Sequence, residues 1–146
     1  MRIIGEVEVC ELVSRTCGKL RAMFDSGASG SLVKRSALLK AIPQARLGGV
    51  EPPRPVEGIV GDEKPTYASE AAMLTFRVGG TESLPGAYLV VEHMKTVDII
   101  VGADQLENND IELVFRKAPK EGAIRFTSRR HGIVSGTFEV RPWSPR

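Results

Sequence analysis

The sequence predicts an all-β fold, either a barrel or a sandwich, from three features. Short stretches of alternating apolar and polar residues are typical of half-buried strands. Turn-forming residues separate these stretches at nearly regular intervals along the chain. Segments with a helical pattern are few and short. Many short strands joined by turns are typical of β-barrels and β-sandwiches.

The first two strands are predicted to form a hairpin. The stretch RIIGEVEV alternates apolar and acidic side chains, and KLRAMF places Leu20, Ala22 and Phe24 at every second position. A period of two predicts half-buried strands. The link between them ends in Gly18, which suits a hairpin.

The next segments are predicted to be a helix, a loop and a second hairpin. The stretch KRSALLKAI, Lys34 to Ile42, has a helical pattern, with Ser36 as its cap and Pro43 after its end. The following PQARLGGVEPPRPVEG is predicted to be a loop, because proline cannot donate a hydrogen bond to a neighbouring strand. Two extended arms then flank a polar tip at Gly61 to Lys64, which predicts a long hairpin.

The second half of the chain continues the all-β pattern. AYLVVE, VDIIVG, IELVF and AIRF are predicted strands, and GGTESLPG and RKAPKEG are predicted turns. ADQLENN, Ala103 to Asn109, is predicted to form one or two helical turns. Periodicity weakens from Ser128 onward, apart from a short strand at Gly136 to Val140. We therefore predict one domain over residues 1–127 and a C-terminal extension over residues 128–146, a size that suits a single core.

The two cysteines, Cys10 and Cys17, lack the spacing of a zinc site and are too few for a disulfide framework. We expect free thiols in a reducing compartment. The alternative is a bridge across the first hairpin, whose strands could bring the two residues opposite each other.

Composition and charge restrict the location and the partners. The N-terminal MRIIGEVEV is too short and too polar for a signal peptide, and no stretch approaches the roughly 18 apolar residues of a membrane span. We expect a cytoplasmic protein with no membrane partner. The formal net charge of +2 predicts no nucleic-acid partner. The basic cluster Arg125 to His131 is expected to be a solvated tail, with phosphate binding as the alternative.

The stretch AMFDSGASGSLV, Ala22 to Val33, places a lone aspartate, Asp25, between two apolar runs. Asp, Ser and Gly are turn residues, so a tight turn is one interpretation. The other is a carboxylate held for chemistry, because the preceding apolar strand delivers Asp25 to the loop at its end. Gly27 permits close approach of backbone, and Ala28 keeps the neighbouring space small. A buried carboxylate requires partners that support its charge.

Other polar residues offer less for catalysis. Asp62, Asp98 and Asp110 lie at a predicted hairpin tip, a strand start and a turn, which are structural positions. His93 and His131 are too few and too scattered for a metal cluster or a Ser-His-Asp arrangement. No GxxxxGK[ST] phosphate-binding motif is present in the sequence. We predict no metal and no cofactor.

Two motifs together resemble the retroviral-type aspartic proteases, the retropepsins and their cellular relatives. FDSGASGSLV resembles the active-site loop of this family, in which a hydrophobic strand ends in D-[ST]-G-[AS]. Downstream, IIVGADQLENNDIELVF matches the second family motif, two apolar residues followed by Gly-x-[Asp/Asn]-x-Leu. Between the two motifs, VEGIVGDEKPTYAS lies where the family has a flap hairpin. The resemblance covers Ile3 to Phe126.

The resemblance implies a closed acid-protease β-barrel with a flap hairpin and one or two short helices. It implies an aspartic endopeptidase that hydrolyses extended polypeptide segments. This chemistry needs two neighbouring carboxylates that share one proton. The chain has one such motif, so the second Asp25 must come from a second copy in a two-fold homodimer. A water between the two catalytic Asp25 side chains would attack the scissile carbonyl.

The resemblance also assigns roles to the loop and the flap. Ser26 would form a hydrogen bond across the dimer axis to the opposite loop, Gly27 would form a hydrogen bond to substrate backbone, and Ala28 completes the loop. The flap would close over an extended substrate that binds like an added strand. Its substrate-binding residues are predicted to be Gly58, Ile59, Val60 and Gly61.

The second motif, Gly102, Asp104 and Leu106, is predicted to be structural. Asp104 would fix the turn through local hydrogen bonds, and Leu106 would fill the core. IELVF is expected to build the sheet between the two subunits, because the viral N-terminal interface strand has no counterpart here.

The chain departs from the viral pattern in two places. Ser29 stands where the viral enzymes carry an acid that binds substrate backbone, which indicates the cellular branch, and the flap has fewer glycines. Two rival interpretations stay open: a β-barrel scaffold with Asp25 in a turn, and a catalytically silent dimeric module that binds extended peptides. The intact Asp-Ser-Gly favours the enzyme.

Overall fold

The computed structural model describes residues 2–56, 66–115, 121–127 and 134–141, the last of these by its backbone. Eleven strands and two short helices lie in this part of the chain. The strands are β1 (Arg2–Glu11), β2 (Thr16–Phe24), β3 (Leu32–Lys34), β4 (Gly48–Val56), β5 (Thr66–Val78), β6 (Thr81–Glu82), β7 (Gly86–Val91), β8 (Ile99–Val101), β9 (Ile111–Phe115), β10 (Glu121–Phe126) and β11 (Val134–Arg141). The helices are α1 (Arg35–Ala41) and α2 (Ala103–Asn108).

Six of the strands close into a barrel. β1 pairs with β2, β2 with β8, β8 with β3, β3 with β7, β7 with β5, and β5 pairs back with β1. The β2–β8 and β3–β7 pairs are parallel and the others antiparallel. Closure satisfies the strand edges within this ring. The predicted closed all-β barrel with one or two short helices is confirmed, and the sandwich is excluded.

The remaining strands extend the sheet on two sides. β4 and β6 pair with β5, while β11, β10 and β9 continue outward from β1. Within the described residues, β4 and β9 are therefore the two ends of the sheet. β11 contains the predicted strand Gly136 to Val140 and pairs with both β1 and β10. This part of the predicted extension thus continues the sheet, and the domain boundary at residue 127 stays a prediction.

Apolar residues on alternate positions of the strands fill the barrel interior. Phe24, Phe76 and Phe126 belong to the main core cluster, and the ring centroid of Phe76 lies 5.6 Å from that of Phe24 and 6.3 Å from that of Phe126. A second buried cluster, which includes Ile4, Met23 and Ile100, covers the opposite face of β1, β2 and β8. Because both faces of β2 are buried near its end, the residue that follows Phe24 enters a buried environment.

The first hairpin forms as predicted, but its cysteines are bonded to each other. β1 and β2 pair from Ile3↔Phe24 to Glu11↔Thr16, which places Cys10 directly opposite Cys17. The two residues form a disulfide. The expectation of free thiols is therefore wrong, because the hairpin register brings both sulfur atoms together. The cytoplasmic location stays a prediction, and the disulfide removes one argument for a reducing compartment.

The proline-rich segment is a strand rather than the predicted loop. β4 includes Pro52, Pro53 and Pro55 and pairs with β5, with a register shift between Gly49 and Arg54. Proline is tolerated there because β4 lies at the edge of the described sheet, where one side of the strand needs no donors. The predicted turn GGTESLPG likewise contains the two-residue strand β6, which pairs with the end of β5.

The arms of the second hairpin are present, since Val56 pairs with Thr66. Its tip, including the predicted flap residues Gly58, Ile59, Val60 and Gly61, lies outside the described residues.

Helix α1 matches the prediction, but its cap does not. Lys34 is the N-cap residue and makes no side-chain cap hydrogen bond, whereas Ser36 lies one residue inside the helix. No helix of the described chain is long and apolar enough to cross a membrane.

Glu11 is a fully buried charged residue at the end of β1. Its carboxylate accepts hydrogen bonds from the backbone N–H groups of Arg46 (2.7 Å), Ser14 (3.1 Å) and Val13. It thereby joins the first hairpin turn to the segment after α1. Burial alone would raise the pKa of Glu11, but the backbone donors outweigh burial and hold that pKa below its ordinary value of 4.5.

We predict that the protein loses folding stability in acid because Glu11 becomes protonated. A lowered pKa contributes stability that is fully present above pH 4.5 and is lost as the pH falls through the lowered value. Glu11→Gln should cost about 1–3 kcal/mol at neutral pH and flatten the acid dependence, as measured by urea unfolding at several pH values. Glu6→Gln removes a mostly exposed carboxylate from the same strand and should keep the wild-type dependence. Parallel curves for wild type and Glu11→Gln would contradict the assignment.

Candidate active site

Asp25 lies in the loop that follows β2, beside the end of β8. Its backbone N–H donates to the carbonyl of Val101 at 3.0 Å, and its own carbonyl accepts from the N–H of Ala28 at 3.1 Å. Because β2 and β8 run in parallel, Phe24 pairs with Val101 and both strands end at the same level. The two sequence motifs therefore meet at one end of the barrel.

The carboxylate of Asp25 is buried, with 5% of the residue exposed. Its Oδ1 accepts a hydrogen bond from the N–H of Gly27 at 2.9 Å. Its Oδ2 lies 3.3 Å from Nε of Arg2, which is also buried. A buried carboxylate is stable only with such partners. Asp25 is thus a charged group held inside the structure, and the interpretation as a solvated turn residue does not fit its burial.

Gly102 packs against the Asp25 loop more closely than any side chain would allow. A Cβ atom at Gly102 would lie 2.6 Å from the carbonyl oxygen of Gly30 and 2.7 Å from that of Ala28. The carbonyl of Ala28 also accepts from the N–H of Ala103 at 2.7 Å. The glycine of the second motif is therefore needed for direct backbone contact between the two motifs.

Ser31 connects the two motifs through its hydroxyl. Its Oγ donates to Oδ1 of Asp104 at 2.6 Å and accepts from the N–H of Gly102 at 2.9 Å. Asp104 Oδ1 also accepts from the N–H of Gln105 at 2.8 Å. Asp104 thus makes the predicted local bond and, in addition, a long-range bond to the loop. Leu106 lies in the main core cluster.

Tyr88 is a buried phenol near this connection. Burial raises the pKa of Tyr88 far above its ordinary value, and the charge of Asp104 raises it further. Tyr88 therefore remains neutral and packs as a core residue.

We predict that Ser31→Ala weakens the fold at the site. The substitution removes this partner from the partly buried carboxylate of Asp104 and from the buried N–H of Gly102, which should cost about 1–3 kcal/mol. Urea unfolding measures the loss. Ser29→Ala, at an exposed position two residues earlier, is the matched control and should stay within about 0.5 kcal/mol of wild type. Equal midpoints for the two variants would show that the Ser31 connection is dispensable.

Two spaces adjoin the Asp25 loop. Ser26 is exposed and borders a groove of about 640 Å³, which the apolar side chains of Ile111, Leu113 and Phe115 on β9 also line. On the other side of the loop, Ala28, Ser29 and Gly30 border a pocket of about 80 Å³. Its remaining walls are Leu32, Pro55, Val56, Leu89 and Ile100, which come from β3, β4, β7 and β8.

Among the other polar candidates, Asp98 and Asp110 do not join this site, whereas Asp62 and His131 lie outside the described residues. Asp98 accepts from the N–H of Arg21 at 2.9 Å and forms an ion pair with Lys34 at 3.7 Å, so it has a structural role. Asp110 has a positive φ of 51° and lies in a turn after α2. Glu8 lies close to Cys10 and Cys17, but the two sulfur atoms are bonded to each other and are not free thiolate ligands.

Sequence reasoning missed Arg2 and Ser31. The signal for Arg2 was its place in the first hairpin, where the β1–β2 register can be extended to Asp25. The signal for Ser31 was weaker, since nothing in its own stretch indicates a partner on the distant α2.

Comparisons with known proteins support the fold. No family model and no curated protein matches the chain. Among solved structures, the chain is similar to the retroviral protease-like domain of Ddi1 from Leishmania major, with a TM-score of 0.55 and 16% sequence identity. The match covers 90% of this chain and 94% of that one. The β-barrel thus has the retroviral protease-like fold. At 16% identity the comparison shows the fold alone.

Proposed function

We propose that the protein is an aspartic endopeptidase that works as a homodimer and cleaves extended polypeptide segments. The observation that carries this proposal is the buried Asp25 carboxylate in an Asp-Ser-Gly loop, at the point where the two motifs meet. The retroviral protease-like fold of the barrel supports it. A turn aspartate needs neither burial nor a partner motif in direct backbone contact.

The need for a second copy follows from the chemistry. One carboxyl group must take a proton from the attacking water while another, protonated, polarises the substrate carbonyl. The sequence contains one Asp-Ser-Gly motif. Two Asp25 loops that meet on a two-fold axis would supply the pair.

Two features near Ser26 fit such a dimer. Ser26 is exposed, as a residue that bonds to the opposite loop must be before the subunits associate. β9 lies at the edge of the described sheet and exposes apolar surface, including Phe115 at 38%. We place the subunit contact along this edge and the adjoining groove, since an unpaired apolar edge favours pairing with another chain.

The substrate would bind as an extended strand between the Asp25 loop and the hairpin of β4 and β5, held by backbone hydrogen bonds. The Gly27 N–H already bonds Oδ1 of Asp25 and thereby orients the carboxylate. The small pocket beside Ala28 and Ser29 would receive a substrate side chain, and its apolar walls favour an aliphatic one. The hydrolysis requires neither a metal nor a covalent intermediate. Nucleic acids and membranes are not expected as partners.

The proposal is tested by incubation of the protein with casein, an unstructured substrate, followed by gel electrophoresis and mass spectrometry of the fragments. We expect cleavage that a statine-type compound inhibits, because the statine hydroxyl replaces the water between two carboxyls. A folded dimer that leaves casein intact would overturn the proposal.

The second candidate is a dimeric module of the same fold that binds extended peptides without cutting them. The pairing of Asp25 with Arg2 favours it, because this contact keeps the carboxylate from water in the isolated chain. Peptide binding without fragments in the casein experiment would establish this alternative.

A further inference from the structure

Arg2 and Asp25 each lie one residue beyond the Ile3–Phe24 pair of the first hairpin. Extending the β1–β2 ladder by one step would bring the two residues opposite each other. Opposite residues of an antiparallel pair project from the same face, with Cβ atoms about 5 Å apart. The backbone of Arg2 is also paired with Arg141 on β11. The side chain of Arg2 is therefore directed to Asp25 by the sheet itself.

Arg2 and Gly27 contact different oxygen atoms of the Asp25 carboxylate. Oδ1 of Asp25 accepts from the N–H of Gly27, and Oδ2 faces Nε of Arg2 at 3.3 Å. Only 9% of Arg2 and 5% of Asp25 are exposed. In the isolated chain, the guanidinium thus lies where water or a partner carboxyl would have to reach Oδ2.

The ion pair lacks the geometry of a tightly held one. Nε of Arg2 is buried and has no hydrogen bond of good geometry in the described part of the chain, although it is close to Oδ2. A buried pair repays its desolvation only with well-aligned hydrogen bonds. The side chain of Arg2 is consequently a candidate for displacement when better partners for Oδ2 arrive.

We propose that Arg2 is an inhibitory residue whose guanidinium shields the Asp25 carboxylate in the free chain and must leave Oδ2 before cleavage. The proposal rests on the proposed function in one respect, that Asp25 is the catalytic group. Dimerisation or substrate binding would displace Arg2, because the carboxyl of the second copy and the attacking water would then interact with Oδ2 in its place. The ion pair then lowers the fraction of molecules that are competent for catalysis, and with it the apparent activity.

The shielding is measured first without any activity assay. Native wild-type protein is treated with a water-soluble carbodiimide and an amine, and labelling of each carboxyl is followed by peptide mass spectrometry. We expect Asp25 to react roughly tenfold more slowly than the exposed Glu6 of the same hairpin. The reason is that Arg2 has left the Asp25 carboxylate in only a minor fraction of the molecules. The difference should vanish in denaturant. Equal native rates for Asp25 and Glu6 would overturn the proposal, and this test needs no variant to fold.

The variant Arg2→Gln then tests the cause. It should label faster at Asp25 and raise kcat/KM on casein roughly five- to tenfold, since a larger fraction of molecules is competent. Arg2→Lys keeps the positive charge, so its labelling rate at Asp25 and its kcat/KM should stay closer to the wild-type values. Arg77→Gln removes an exposed arginine, paired with Glu8 and Glu82 on the surface, and is the matched control that should change neither readout.

The two readouts separate this proposal from the proposed function. Faster labelling of Asp25 in Arg2→Gln, with no cleavage by any variant, supports the shielding and overturns the protease. Cleavage by the wild type, with labelling and kcat/KM unchanged or lowered in a folded Arg2→Gln, overturns the role of Arg2.

Discussion

Asp25→Asn is expected to abolish cleavage of casein from about pH 3 to about pH 8, with a loss of at least about a thousandfold in rate. The amide has nearly the shape of the carboxylate and can still accept from the N–H of Gly27, so the loop should keep its conformation. It cannot ionise, and a pair of amides can neither deprotonate the water nor share a proton. Size-exclusion chromatography should show the same oligomeric state for the variant and the wild type, which the proposed function predicts to be a dimer.

Two controls make this result interpretable. Glu6→Gln applies the same chemical change to an exposed carboxylate of β1 and should retain full activity. Asp25→Asn also leaves the buried Arg2 without its charge partner, which costs several kcal/mol when such pairs are broken. If the variant melts early, the double variant Arg2→Gln with Asp25→Asn should restore stability without restoring cleavage. Cleavage that persists in a folded Asp25→Asn would place the chemistry elsewhere.

Gly102→Ala is expected to displace the Asp25 loop and to destabilise the fold by about 1–3 kcal/mol. The new methyl group would lie 2.6 Å from the carbonyl oxygen of Gly30, which is backbone and cannot rotate away. The loop must therefore move, and Asp25 with it. Urea unfolding measures the stability. Displacement of the Asp25 loop should lower casein cleavage by more than the unfolded fraction of the variant explains.

Gly30→Ala is the matched control for this prediction. Gly30 lies in the same loop, yet an added Cβ atom there meets nothing within 4 Å. Its stability should stay within about 0.5 kcal/mol of wild type. Equal stability for Gly102→Ala and Gly30→Ala would show that the close packing of the two motifs is not needed.

The strands were largely predictable from the sequence, because the spacing of apolar residues along a strand indicates which of its side chains are buried. β1, β2, β7, β8, β9 and β10 were all indicated by apolar residues at strand spacing. β4 was not, since its prolines indicate a loop. Whether a proline is tolerated depends on the strand's position in the sheet, which only the pairing with β5 reveals.

The all-β class, the first hairpin and the choice of Asp25 as the residue of interest could be predicted from the sequence alone. These depend on alternation and on short motifs, which are properties of neighbouring positions. The contacts of Asp25, the link between the two motifs and the state of the cysteines could be seen only in the folded chain. Arg2, Ser31 and the disulfide of Cys10 with Cys17 depend on which strands pair and in which register. Register fixes contacts between residues far apart in the chain, and a one-residue change in the β1–β2 pairing would move Arg2 and Cys10 to the opposite face.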